Sequence, residues 1–168
     1  YLGKVPLGNN LSNDVSESKN ANIYPLIINR CKSCGHFQLS ISVNPKLLYA
    51  TNYTYLSSIG KSFVLHLEEY AKSTCEKYSL GNNSFVIDIG SNDGTCLKFF
   101  KQKGCKVLGV DPAEIPAKIA NKNNIETIND FFDENVTNYI LNNYGHCDFI
   151  TSHNALAHID QIESTFKN

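Results

Sequence analysis

Hydrophobic and polar positions follow two different regimes along this 168-residue chain. From residue 84 onward, short apolar runs alternate with amphipathic stretches. Residues 85–89, 106–110, 125–128 and 147–152 read as strands, and residues 94–103, 113–123, 133–143 and 159–167 as helices. The run Phe85-Val86-Ile87-Asp88-Ile89 is almost wholly apolar, as a central strand covered on both faces requires. Strand–helix alternation predicts a parallel sheet with right-handed crossovers, hence an α/β Rossmann-like domain over residues 84–168. Upstream, Phe63, Leu67, Tyr70, Ala71, Thr74 and Tyr78 recur at helical spacing and predict a helix within a linking segment, residues 51–83. Residues 1–50 read as a small irregular module. In it, residues 9–22 are polar and loop-like, residues 24–29 strand-like, and Cys31 to Gly35 a tight turn. Alternating Phe37, Leu39, Ile41 and Val43 then predict a half-buried strand.

Composition narrows the class without naming an activity. A hydrophobic content of 42% and a charged content of 18% describe a globular chain, not a disordered one. A net charge of −1 speaks against an extended nucleic-acid or membrane footprint. No apolar run approaches the ~20 residues that span a bilayer, and no signal-peptide pattern opens the chain, so a cytoplasmic location is expected. The chain starts at Tyr1 and contains no methionine, which leads to the expectation of a piece of a longer protein. Of six cysteines only Cys31 and Cys34 form a motif; Cys96, Cys105 and Cys147 fall in or beside core elements as small hydrophobes, and Cys75 on a helix. A reducing compartment accounts for them.

The candidate chemistry sits where the first strand of the α/β region turns. Gly90 and Gly94, in Asp88-Ile89-Gly90-Ser91-Asn92-Asp93-Gly94, let the backbone turn sharply and approach a ligand closely. The N-terminus of the following helix offers N–H groups to an anion such as a carboxylate or phosphate. The next strand ends at Asp111, about 20 residues past Gly90, where a carboxylate accepts from ribose hydroxyls. Asp111 before Pro112 also has the form of a helix start. A dinucleotide fingerprint needs glycine where Asn92 stands, and Asp88 inside the strand needs a partner if buried. S-adenosylmethionine satisfies both points: it has a ribose, an ammonium-bearing end and no pyrophosphate. Elsewhere, Cys31-Lys32-Ser33-Cys34-Gly35 has the form of a zinc-ribbon turn supplying two of the four ligands that tetrahedral zinc takes.

These segments together resemble the sugar C-methyltransferases, class I S-adenosylmethionine-dependent enzymes with an N-terminal zinc-binding module, typified by NDP-hexose 3-C-methyltransferases. The resemblance rests on Leu2-Gly3-Lys4-Val5-Pro6-Leu7, Tyr24-Pro25-Leu26, Cys31-x-x-Cys34-Gly35-His36, Tyr53-x-Tyr55-x-Ser57-Ser58, Asp88 to Gly94, Leu108 to Ala113 and Asn154-Ala155-Leu156-Ala157-His158-Ile159, in that order. It implies a class I sheet of which this chain holds about four strands, with an apolar open edge at the strand around Phe149. It also implies an incomplete zinc module at Cys31 and Cys34, whose second cysteine pair would precede Tyr1.

Cofactor contacts are implied at Asp88, Gly90, Asn92, Asp93, Gly94 and Asp111. Phe131 and Phe132 lie against adenine or in the core, and Asn154 contacts the cofactor or caps a helix. The implied reaction methylates carbon 3 of a nucleotide-linked 4-keto-deoxysugar. His158 and Tyr55 are the candidates for substrate contact and proton handling; against them stand a surface histidine and an aromatic packing residue. The principal base belongs to a Tyr-x-Glu-His segment beyond Asn168, so the isolated chain is expected to be inactive and prone to association. The competing readings are an NAD(P)-dependent Rossmann oxidoreductase and a zinc-ribbon binding module beside a degenerate methyltransferase domain. A nucleotide-sugar partner is implied, and no nucleic acid or membrane; the oligomeric state is left open.

Overall fold

The computed structural model describes residues 1–9, 11–50, 53–159 and 161–167. The chain forms two units, Tyr1–Tyr53 and Thr54–Asn168. The first holds β1 (Gly3–Val5), α1 (Val15–Lys19), β2 (Tyr24–Leu26), β3 (Ile28–Arg30) and β4 (Phe37–Leu39). β1 pairs antiparallel with β2, and β3 with β4, as two separate hairpins. The expected single strand over residues 24–29 is thus split at Ile27, each half serving a different partner. The expected loop over residues 9–22 contains the short helix α1, started by Asp14, whose carboxylate accepts the N–H groups of Ser16 (2.7 Å) and Glu17 (3.0 Å). The half-buried strand expected from Phe37 to Val43 is corrected. β4 stops at Leu39, and Phe37 and Leu39 are exposed, because a lone two-stranded hairpin offers no second layer to cover its apolar face.

The second unit opens with α2 (Lys61–Tyr78) and continues β5 (Phe85–Ile89), α3 (Thr95–Gln102), β6 (Lys106–Val110), α4 (Glu114–Lys122), β7 (Thr127–Ile128), α5 (Glu134–Tyr144), β8 (Phe149–Thr151) and α6 (Ile162–Lys167). The four strands form a parallel sheet in the order β7-β6-β5-β8. Thr51 and Asn52, at the start of the expected linking segment, lie outside the described residues. The helix of that segment is an integral layer of this unit. Leu67, Ala71 and Cys75 of α2 are buried in one cluster with Val86, Val107, Cys96, Leu97, Phe99, Phe100 and Ala120. Phe85, Ile87, Ile89, Leu108 and Val110 point to the other face and meet Val136 and Ile140 of α5. Period-two alternation along strands that are apolar at nearly every position therefore fills both layers of an α/β sandwich.

Burial raises the thiols of Cys75 and Cys96 above their ordinary range and pushes Cys105 up to about 11, as inert core cysteines should behave. Among the described residues β8 pairs only with β5, and Ile150 on it is 49% exposed. No described helix is long and apolar enough to cross a membrane.

Parallel register aligns one residue from each strand into a row: Thr151, Asp88, Gly109 and Thr127. All three side-chain-bearing members are polar and buried. This row lies on the α2–α3 face, one step beyond Val86 and Val107, directly below the strand ends.

Candidate functional site

Everything that turns at the C-terminal ends of β5, β6 and β8 converges on one cleft rim, the place where open α/β sheets bind ligands. Gly90, at φ +74°, leaves β5 and donates its N–H to Val110 O at 2.8 Å. A Cβ at Gly90 would stand 2.5 Å from that of Ala155, so the turn and the loop after β8 approach closer than any side chain at Gly90 permits. Gly94, at φ +77°, begins α3 and packs against Ile125, whose Cγ2 would lie 2.8 Å from a Cβ there. The two glycines are therefore needed for close approach on opposite sides of the turn.

Asn92 stands where a dinucleotide motif has its second glycine, and the structure shows why asparagine is suited there. It adopts φ +53°, a left-handed conformation that asparagine tolerates better than most residues. Its side chain brackets the preceding segment: Oδ1 accepts Ser57 N–H at 2.8 Å, and Nδ2 donates to Tyr55 O at 3.0 Å. Asp93 continues the bracket by accepting Ser58 N–H at 3.0 Å. Its other oxygen accepts from the Thr95 hydroxyl (2.6 Å) and N–H (3.3 Å). The Asp93 carboxylate thus takes up one N–H of the α3 N-terminus, that of Thr95, and places a negative side chain beside the end expected to face an anion.

Replacing Asn92 by glycine keeps the left-handed turn and removes its two side-chain hydrogen bonds, leaving that of Asp93 to Ser58. At about 0.5–1.5 kcal/mol for each of the two hydrogen bonds, stability should fall by about 1–3 kcal/mol. Hydrogen exchange at the Ser57 amide should accelerate. An unchanged exchange rate would show that the bracket does not hold the segment.

Asp111 is 6% exposed at the end of β6. One oxygen accepts Asn92 N–H at 2.7 Å and the other Ala113 N–H at 2.8 Å, while its backbone carbonyl accepts from Asn129 Nδ2 at 2.9 Å. Burial raises its carboxyl above the ordinary range, and the two N–H donors oppose that shift. The helix-start reading of Asp111 is not what forms: Ala113 occupies the N-cap of α4. Each Asp111 oxygen retains a lone pair for a further donor, as ribose recognition needs.

Asp88 is 2% exposed, and its Oδ1 has no hydrogen-bond partner. Burial first, and the Asp111 carboxylate second, hold its carboxyl well above the usual carboxylate range. Ser91 Oγ, buried beside it over Gly109, is also without a partner.

The remaining expected residues are spread around this rim. Phe132 packs on the α5-side core cluster, whereas Phe131 is half-buried outside it. Asn154, exposed at φ +57°, does not cap the short 3-10 turn Leu156–His158; Ala155 does. His158 ends that turn and is exposed, and Tyr55 is 49% exposed with its backbone tied to Asn92. Sequence reasoning passed over His153. Its ring stands edge-on to Tyr70 at 4.6 Å, its Nδ1 is buried without a partner, and Tyr70 in turn hydrogen-bonds Thr151 at 3.0 Å. Burial first, then His66, lower the His153 pKa. Its place just after an apolar strand was the available signal.

A concavity of about 600 Å³ runs along exposed Lys98, Lys101 and Gln102 of α3 to Asn123. Ser58, Asp93, Gly94 and Thr95 line its near end, so it abuts the glycine turn, while Asp88 and Asp111 do not line it.

In the first unit, Cys31 and Cys34 are exposed free thiols on a turn closed by Gly35 N–H to Cys31 O (3.0 Å) and Cys31 N–H to His36 O (2.7 Å). The backbone N–H groups of Cys34 and Ser33 lower the Cys31 thiol below its ordinary range. Among the described residues no group of three or more metal-ligating side chains is assembled.

A glycine turn between two parallel strands with an acid ending the second strand is common to several nucleotide-binding families. A family profile described as "Methyltransferase domain" matches residues 63–168, which takes in most of α2 and the whole four-stranded sheet. The chain belongs to this methyltransferase family. Its fold is the Rossmann-like class I arrangement, and the solved structure of a Methanococcus maripaludis protein provisionally described as an S-adenosyl-L-methionine-dependent methyltransferase shares that fold. The TM-score is 0.51 and the identity 17%, over 66% of this chain and 52% of that one. In sequence, the methyltransferase chain is 31% identical over 161 residues to the C-methyltransferase NovU of Streptomyces niveus. The match covers 96% of this chain and 38% of NovU, so the chain spans well under half the length of that relative.

Proposed function

We propose that this methyltransferase domain binds S-adenosylmethionine at the glycine turn, within a protein that methylates carbon 3 of a nucleotide-linked 4-keto-deoxysugar. The observation that carries the cofactor reading is the pair of buried acids at the strand ends. Asp111 keeps lone pairs for ribose hydroxyls. Asp88 lies beneath the turn with an orphaned oxygen, an arrangement suited to the field of an ammonium group. Asn92 supports the same reading against a dinucleotide, since its side chain is committed to Tyr55 and Ser57 where a pyrophosphate needs bare backbone. Support for C-methylation comes from the likeness to NovU along nearly all of this chain.

The bound cofactor would supply an electrophilic methyl group. This chain's own residues hold and orient. Gly90 and Gly94 bring backbone to the ligand, Asp111 fixes the ribose, and Asn92 holds the backbone of Tyr55 beside the turn. Tyr55 and His158 are proposed to contact the sugar and to handle proton or charge as the carbon beside the ketone loses its proton. Phe131 is proposed to lie against adenine. Cys31 and Cys34 are proposed as half of a structural zinc site. Two exposed thiols on one turn, one of them with its pKa lowered by backbone N–H groups, fit that ion's donor preference.

Calorimetry of the full-length protein with S-adenosylmethionine and with NAD tests the cofactor reading; binding of the first alone is expected, and binding of NAD alone would sink it. The same preparation should contain zinc that is lost on Cys31→Ser substitution.

A further inference from the structure

The least explained group in the domain is Asp88. A carboxyl 2% exposed, inside the central strand of a parallel sheet, is unusual, and its surroundings contain no cation among the described residues. Its neighbours can be enumerated from the register. Across the sheet stand Thr151 of β8, whose hydroxyl is engaged with Tyr70 of α2, and Gly109 of β6, which brings no side chain. Above it, the turn contributes Ser91, whose hydroxyl is buried and unpartnered. α3 contributes the Cys96 thiol, whose pKa burial raises far above the ordinary range. The end of β6 contributes the Asp111 carboxylate, a like charge. The titratable groups facing Asp88 are thus a neutral thiol and an acid, so nothing here favours the ionised form.

Asp111 and Asp88 differ in one decisive respect. Asp111 receives two backbone N–H groups, which stabilise an anion, while Asp88 Oδ1 receives none. Two carboxylates that interact across a low-dielectric layer do not both ionise readily, and the one without donors keeps the proton.

We propose that Asp88 carries a proton in the free protein and surrenders it when an ammonium-bearing ligand seats on the glycine turn, so that cofactor uptake is coupled to release of one proton. The balance is simple: a neutral carboxyl and a ligand ammonium become a carboxylate facing that ammonium, and the proton goes to solvent. Burial of Asp88 is then supportable in both states, as a neutral acid when the site is free and as a paired anion when it is filled. This inference rests on the cofactor reading above only for the identity of the cation.

Two measurements on the full-length protein test it. Infrared spectroscopy of the free protein at neutral pH should show a protonated-carboxyl C=O band that disappears in Asp88→Asn; absence of that band in the natural protein overturns the proposal whatever the ligand. Calorimetry with S-adenosylhomocysteine, repeated in buffers of different ionisation heat, should show release of close to one proton by the natural protein and none by Asp88→Asn. In the same range Kd should fall by about tenfold per pH unit as pH rises, as release of one proton requires. Loss of the proton from the ligand's own ammonium at higher pH sets the upper limit of that range. Binding without proton release overturns the proposal and leaves the cofactor reading standing, and so does release that persists in Asp88→Asn, which would assign the proton to Asp111. Failure of S-adenosylhomocysteine to bind at all overturns both.

Discussion

Replacing Phe100 by alanine is expected to lower the stability of the domain by about 3–5 kcal/mol, the largest single-residue effect anticipated here. Phe100 has no exposed surface, lies in the cluster formed by α2, α3 and the sheet, and its ring meets Tyr70 at 6.1 Å and Phe149 at 6.3 Å. Removing it takes away transfer free energy and leaves a cavity whose walls belong to three elements, so local collapse cannot fill it. Set against a total of about 5–15 kcal/mol for an ordinary domain, that loss is a large fraction. Urea unfolding of the full-length protein should show a lowered midpoint with little change in slope. A loss below about 1 kcal/mol would mean that the α2–α3 layer does not hold the sheet as described. Leu65→Ala, on the exposed side of α2, serves as the control and should cost far less.

Gly90→Ala should be nearly as severe, for a different reason. The position needs φ +74°, and the new Cβ would come 2.5 Å from Ala155 Cβ, well inside carbon–carbon contact distance. Left-handed strain and overpacking together give about 2–5 kcal/mol. Because the displaced neighbour belongs to the loop that carries His158, ligand affinity should fall with stability. Combining Gly90→Ala with Ala155→Gly removes the collision and leaves the strain. A double-mutant cycle should therefore recover about 1–3 kcal/mol, the overpacking share. Simple additivity of the two substitutions would show that the turn and the loop are not in contact.

How legible these features were depends on the physics behind each. β5 and β6 occupy the residues expected of them because their apolar runs are nearly continuous and stop at Gly90 in the first case and at Asp111-Pro112 in the second. β7 is shorter than expected. Ile125, read as its first residue, is instead drawn into the core beneath Gly94, and pairing begins only at Thr127. The first unit was the least legible part, since hairpins of three residues a strand carry too little pattern to fix their ends or partners. In the site, Asp111 and the two glycines could be picked out from motif order. His153 and the bracket formed by Asn92 and Asp93 could not, because their meaning depends on residues 35 to 83 positions away.

By itself the sequence determined the class of this domain: alternating apolar runs and amphipathic stretches specify a parallel α/β sheet, and a glycine turn followed by an acid marks the candidate ligand site. Those are local patterns, readable wherever neighbouring residues share one element. Only the tertiary structure decided which polar groups are left unsatisfied. Asp111 finds two backbone donors and Asp88 Oδ1 finds none among the described residues, although one acid lies within β5 and the other directly follows the adjacent β6. That difference arises from register, burial and the path of a distant segment, which no local pattern encodes. It also separates an acid whose anion two backbone N–H groups support from one whose buried oxygen has no donor.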